Sequence, residues 1–406
     1  VTVENAVDRL SLAERSELTV VSAAPPPREE PWRLRVLVLA LGWDRPGGLN
    51  RYVQGLHEAV SRDGGAVRTL VLGPAESAPA GVTAAAADTA SLPVRLRAFA
   101  RQARRFGRGA DVVDVHFALL SFGPVVLGAL RGKPLVVHFH GPWAEESLEA
   151  GESRRAVLRA KHRLERAVYA RAHRLVVLSD AFADLLVREY GVDRARVRVV
   201  PPGVDLDAFS PGRSPARRRL GLAPDRRVVF TARRLVSRMG LDVLLAAWQS
   251  VERRPDDLLL IAGEGPEDTA LAGIVEQAGL GESVRLLGRI DEDDLVAHFR
   301  AADVCVMPSL ALEGFGLTAV EALACGTPVV VTDVGGLPDV VRDLDPSLTV
   351  PPGDPGALAA RLSSALAGRV PDATACRRHA ETFSWHRAAE THRRLYAEAV
   401  EEAGAR

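Results

Sequence analysis

Two glutamates, three arginines and two histidines of this chain have neighbours that suit them to chemistry. Glu313 and Glu321 bracket a glycine-rich stretch, Glu313-Gly-Phe-Gly-Leu-Thr-Ala-Val-Glu321. Arg233, Arg234 and Arg238 follow an apolar run and lead to Met239 and Gly240. His138 and His140 alternate in His138-Phe-His-Gly-Pro-Trp143. Carboxylates eight residues apart on a helix would lie roughly 12 Å from each other. That exceeds the roughly 5–9.5 Å of a glycosidase pair. A glycine-rich loop opening a helix instead presents backbone N–H groups and a positive dipole end, which suit phosphate. Arginine forks fit phosphate oxygens equally well.

Two further glycine turns follow apolar runs. Gly263-Glu-Gly265-Pro fails as a dinucleotide fingerprint because Asp268 stands where the last glycine belongs. Gly47-Gly48 allows close backbone approach to a ligand. His138 and His140 point to the same side of a strand, and no third ligand at suitable spacing accompanies them for zinc. The Asp-x-Asp pairs Asp205/Asp207 and Asp291/Asp293 read as structural, the second as an N-cap with Asp294 at N3. No required metal is expected.

The elements that must position these residues alternate. Short β-branched runs at 33–41, 67–73, 112–117, 134–140, 174–179 and 196–200 are separated by helix-length amphipathic segments. The pattern repeats at 227–232, 257–263, 284–288, 303–308, 328–333 and 347–350. This is the signature of βαβ units and parallel sheets, here two six-stranded Rossmann-like domains facing across a cleft. The expected division is an N-terminal extension at 1–30, a first domain at 31–200 and a linker at 201–225. A second domain at 226–383 and a C-terminal helix at 384–406, packing back on the first domain, complete it. Ligands in such sheets sit outside the carboxyl ends of the strands, where most of the singled-out residues fall.

The stretch E-G-F-G-L-x-x-x-E-A-x-A-x-G-x-P-V-V, within a match over 308–331, resembles the donor-site signature of retaining family 4 glycosyltransferases, which have the GT-B fold. The likeness runs roughly over 33–396. It implies transfer of a sugar from a nucleoside-diphosphate donor, UDP or GDP, to a small-molecule or lipid-headgroup acceptor. By this resemblance Glu313 lies beside the donor sugar, Gly314, Phe315, Gly316 and Leu317 meet the diphosphate, and Glu321 bonds the ribose. Gly263, Gly265, Gly47 and Gly48 border the donor, and His140 touches its sugar. Arg51, His138, Trp143 and Glu146 are the acceptor candidates. Arg234 matches the arginine of the family's G-R-L-x-x-x-K-G, but Met239 occupies the lysine position. Either Arg238 or Arg233 is left to supply that cation. Two other readings share the cleft, a non-catalytic partner that binds nucleotide-sugar and a nucleotide-sugar epimerase. A phosphorylase-like enzyme needs a Schiff-base lysine, and the C-terminal half contains none.

Composition sets outer bounds. The chain is 47% hydrophobic and 26% charged, typical of a globular protein. It has no apolar run long enough to cross a membrane and no signal-peptide layout. Three cysteines, Cys305, Cys325 and Cys376, are too scattered for a disulfide framework; Cys305 and Cys325 read as core residues, and a reducing cytoplasm fits. Net charge is zero, yet 94–174 holds 16 basic against 7 acidic residues. Without aromatic interleaving this excess does not indicate nucleic acid; it suits an anionic acceptor. Leu92, Leu96, Phe99, Ala103 and Phe106 share a helix face flanked by arginines. Such a helix either covers a sheet or lies on the inner membrane face.

Overall fold

A computed structural model describes residues 32–44, 47–87, 89–149 and 154–405. The extension expected at 1–30 lies outside the described residues. Two parallel sheets form the framework. The first contains β1 (Arg35–Leu39), β2 (Ala66–Val71), β3 (Val82–Ala84), β4 (Val112–Val115), β5 (Leu135–His138), β6 (Arg174–Val177) and β7 (Val197–Val199), in the order β3-β2-β1-β4-β5-β6-β7. The second contains β8 (Val228–Ala232), β9 (Leu258–Ala262), β10 (Val284–Gly288), β11 (Val304–Met307), β12 (Val329–Thr332) and β13 (Thr349–Val350), in the order β10-β9-β8-β11-β12-β13.

The first sheet has seven strands where six were expected. The addition, β3, is three residues at an edge, pairing Thr69 with Val82. It escapes a sequence reading because it is short and runs into an alanine tract.

Strand order reverses between β1 and β4 and again between β8 and β11. These are the switch points at which open α/β sheets leave a crevice for ligands. Four helices matter to that crevice: α1 (Gly48–Arg62), α2 (Leu92–Gly107), α3 (Trp143–Glu149) and, in the second domain, α4 (Leu317–Ala324). After exposed Arg35, strand β1 is apolar from Val36 to Leu39 because both faces are covered. Leu37 and Leu39 pack with Phe99 and Ala103 of α2. Val36 and Val38 pack with Ala388, Leu395 and Tyr396 of the last helix, Trp385–Gly404. Helix α2 therefore covers the sheet and turns Arg97, Arg101, Arg104, Arg105 and Arg108 outward.

The last helix follows the second domain in sequence yet completes the first. Tyr396 donates a 2.6 Å hydrogen bond to buried Asp114 of β4, and Arg174 pairs with Glu398 and Glu402. Burying Leu395 alone contributes about 2 kcal/mol. The chain thus crosses between the domains twice, near Val204 and near Phe383. Val204 N–H donates to Phe383 O at 3.1 Å, tying the crossings together. The first crossing runs into the helix Arg213–Arg219, and the Asp205 carboxylate there accepts from the N–H groups of Asp207 and Ala208.

Candidate functional site

The C-terminal wall of the cleft is built from backbone fitted against backbone. A Cβ on Gly263 would fall 1.8 Å from Arg233 O, and one on Gly265 2.3 Å from Leu235 O. Both glycines expected to border a donor are thus required by the arginine loop they support. A Cβ on Gly240, at φ 65°, would lie 2.0 Å from Pro308 O. Gly335 and Gly336 press on the carbonyls of Glu313 and Gly314, and Gly336 N–H donates to Glu313 O at 3.0 Å. This second pair was missed by sequence reasoning. Its signal was a Gly-Gly just after β12; unlike it, Gly47-Gly48 has no carbonyl at its Cβ positions.

Glu313 sits on the loop after β11. Its carboxylate pairs with Arg233 and accepts from Ser309 Oγ at 3.0 Å. Burial alone would raise this carboxyl, but Arg233, with help from Ser309 and Arg238, holds it below the usual range. Arg238 donates to Leu312 O at 2.9 Å and Ala311 O at 3.4 Å, so it props the loop. Leu312 has φ 53°, an uncommon conformation for a non-glycine residue, immediately before Glu313. Arg234 is exposed. Phe315 is 2% exposed and stacks edge-on against Phe383, so only its backbone can face a ligand. Gly316, at φ 101°, caps α4 without a side-chain hydrogen bond, which leaves the first N–H groups of that helix for a ligand.

Glu321 lies within α4 and is 3% exposed. Its Oε1 accepts from Arg51 at 2.5 Å, while Oε2 has no partner. Burial raises this carboxyl despite the opposing charge of Arg51. A buried acceptor without a donor is uncommon, and it is the kind of atom a ligand hydroxyl would satisfy. Arg51 was expected on the acceptor wall. It sits on α1 of that wall and reaches across the cleft, because α1 begins at the Gly47-Gly48 turn that faces α4; the Cβ position of Gly48 is 3.9 Å from Leu317 Cδ1. Gly47, at φ 125°, caps α1 without a side-chain bond.

The N-terminal wall is made of side chains. His116 after β4, His138 and His140 at the end of β5, and His392 of the last helix form a stack. Ring centroids are 4.0 Å apart for His116 and His138 and 5.1 Å for His138 and His392. His138 and His140 do share a side, their rings 11° from parallel. His138 is nonetheless 3% exposed and lies 2.9 Å from Asp114, inside the domain. Its place as an acceptor contact is therefore corrected: the last helix covers it. Burial holds its pKa down to about 3, against the pull of Asp114. His140 is half-buried at the cleft, and its Nε2 lies 3.0 Å from His116 Nδ1. Burial, then His116 and His138, keep it neutral at ordinary pH.

His116 is the third histidine that spacing did not supply, and the three rings bring ligand atoms within 4.8 Å of one another. A metal needs in-plane lone pairs meeting about 2.0–2.1 Å from each nitrogen. Rings stacked at 4.0 Å and 20° have planes that do not meet at that range. The cluster fits a histidine stack better than a metal centre.

Beyond His140, α3 starts at Trp143, which packs on Phe117 and under the Lys161 ammonium at 4.8 Å. The N–H of Trp143 donates to Glu165 Oε1 at 3.0 Å, as Tyr190 does to Oε2 at 2.9 Å. Burial pushes Glu165 up to about 7. Glu146 approaches Gly141, and burial raises its carboxyl while Arg238 and Arg234 across the cleft oppose the rise. The walls touch at Gly314 against Phe182 and Gly336 against Ser179.

Two parallel-sheet domains with opposed switch points define the GT-B fold. The chain resembles sucrose-phosphate synthase of Thermosynechococcus elongatus, with a TM-score of 0.75 and 26% identity over 90% of this chain and 99% of that one. HepE of Anabaena, solved with UDP and glucose, shares the fold at a TM-score of 0.70 and 20% identity over 88% and 98%. The chain belongs to glycosyltransferase family 4: the family 4 pattern matches residues 46–208 and the glycosyl transferases group 1 pattern matches residues 213–383. A D-inositol 3-phosphate glycosyltransferase of Actinosynnema mirum is 34% identical over 94% of this chain and 97% of its own length. Another, from Geodermatophilus obscurus, is 43% identical over 59% of this chain, a match spanning 56% of that relative. Among the described residues no helix is long and apolar enough to cross a membrane.

Proposed function

We propose that this glycosyltransferase moves a sugar, with retention of anomeric configuration, from a nucleoside-diphosphate donor on the C-terminal wall to a small hydroxylated acceptor on the N-terminal wall. The observation that carries this reading is Glu321, a buried carboxylate with one oxygen unsatisfied, on the helix whose uncapped start follows Glu313. Ribose hydroxyls would satisfy Oε2, displace Arg51 from Oε1, and leave the diphosphate at the N–H groups of α4. UDP is the first nucleotide to test, since HepE was solved with it.

The arginine loop and the helix start supply positive charge for the leaving diphosphate, which needs no metal. Ionised Glu313 stabilises positive charge developing at the anomeric carbon. Attack comes from the face the leaving group departs, and a phosphate oxygen takes the acceptor proton. Neutral His140, steadied by His116, turns its other ring nitrogen to the donor sugar. D-inositol 3-phosphate, named for the relatives, is the first acceptor to test; the basic excess of 94–174 suits such an anion. Exposed Leu92 and Val94 beside the outward arginines of α2 favour a second source, a headgroup reached from the inner membrane face.

Thermal unfolding with UDP, GDP, ADP and dTDP tests the donor, with Glu321→Ala as control. One nucleotide is expected to stabilise the protein and to lose that effect in the variant. Stabilisation by none would favour the non-catalytic reading.

A further inference from the structure

The loop after β8 departs from G-R-L-x-x-x-K-G at two positions, Arg233 for the leading glycine and Met239 for the lysine. In space the two departures meet. Arg233 Nη2 lies 2.9 Å from Met239 Sδ, 2.6 Å from Ser309 Oγ and in contact with the Glu313 carboxylate. Its Nη1 lies 3.5 Å from Met307 Sδ. Met239 is buried, so an uncharged thioether occupies the space on that side of Arg233. Arg238 is spent on the carbonyls of Ala311 and Leu312.

We infer that Arg233 and Met239 are an exchanged pair: the cation that position 239 lacks is delivered from position 233, where it both meets the donor diphosphate and holds Glu313 ionised. The inference rests on the donor site proposed above. Arg233 leaves from the carboxyl end of a switch-point strand, where a ligand phosphate would lie. A lysine added at position 239 would set its ammonium against the Arg233 guanidinium, a like-charge contact in a buried site. Methionine fills that space with a soft, uncharged side chain. The exchange is self-consistent only as a pair, because a glycine at position 233 beside Met239 would leave Glu313 buried without its counter-charge.

The test is a cycle of Arg233→Gly, Met239→Lys and the double variant, read by UDP and UMP affinity and by unfolding midpoint. Arg233→Gly is expected to weaken UDP about 10- to 100-fold and UMP much less. Met239→Lys alone is expected to lower the midpoint. The double variant is expected to recover most of both losses, since the ammonium introduced by Met239→Lys then pairs with Glu313. A double variant no better than Arg233→Gly overturns the exchange. Equal losses for UDP and UMP would leave Arg233 with Glu313 alone and overturn its diphosphate contact. If the unaltered protein binds no nucleotide, the donor reading fails; the midpoints still decide whether positions 233 and 239 are coupled.

Discussion

The two walls of the cleft solve the problem of holding a ligand by different means. On the C-terminal wall four loops are locked together through glycines whose Cβ positions are already occupied by neighbouring carbonyls. On the N-terminal wall side chains face the space: His140, backed by a buried histidine stack, Trp143, and Glu146, whose carboxyl burial raises. A backbone-built wall binds what is constant in a substrate, such as a diphosphate. A side-chain wall can change with the acceptor while the fold stays the same.

Removing charge from the backbone-built wall should have the largest effect. Glu313→Ala is expected to lower kcat about 10²- to 10³-fold, the range for losing one preorganised electrostatic partner. Steady-state rates check it, and near-normal turnover would shift the chemistry to the other wall. Next comes the pH response of the side-chain wall. Folded Glu165 keeps its proton up to about 7, whereas the unfolded chain releases it near the ordinary carboxyl value. Its contribution to stability is thus full below that ordinary value and lost as pH rises through 7, by about 3 kcal/mol. Glu165→Gln should flatten that slope in unfolding curves between about pH 4.5 and 7; an unchanged slope would assign it to another group.

Gly263→Ala should cost about 1–3 kcal/mol through the collision with Arg233 O. Gly273→Ala, in the open face of the helix Asp268–Gln277, should instead stabilise by about 0.5–1 kcal/mol. Equal midpoints for the two would mean that the loops are not locked. His140→Ala is expected to slow transfer about ten-fold with nucleotide affinity nearly intact, and calorimetry beside kinetics separates the two. The smallest effect is expected at the contact between the walls. Arg51→Ala should tighten UDP about two- to five-fold, because the ribose no longer competes for Glu321; weaker binding would make Arg51 a ligand contact.

The same contrast explains what could be read from the sequence. Glycines that permit close approach leave a visible pattern, so the sequence alone puts Gly263, Gly265, Gly316 and Glu313 on one wall. Buried parallel strands are equally visible as apolar runs, and only three-residue β3 escaped. The histidine stack was half visible. His138 and His140 alternate at the end of β5, but His116 follows β4 and His392 lies on the last helix, and only packing brings them together. That same packing buried His138 away from the cleft. That Arg51 of α1 reaches Glu321 on the other wall could not be read from spacing within α1.

The paired crossings near Val204 and Phe383 also have a mechanical meaning. One flexible connection would let the two lobes swivel and twist independently. Two connections side by side, joined by a hydrogen bond, act as a door's two pins: they leave one axis of swing and resist rotation about the others. The same arrangement sets how the gene can be cut. A chimera that takes its first lobe from a relative must take residues 385–404 from that relative as well, because those residues finish the core of the lobe at the opposite end of the chain.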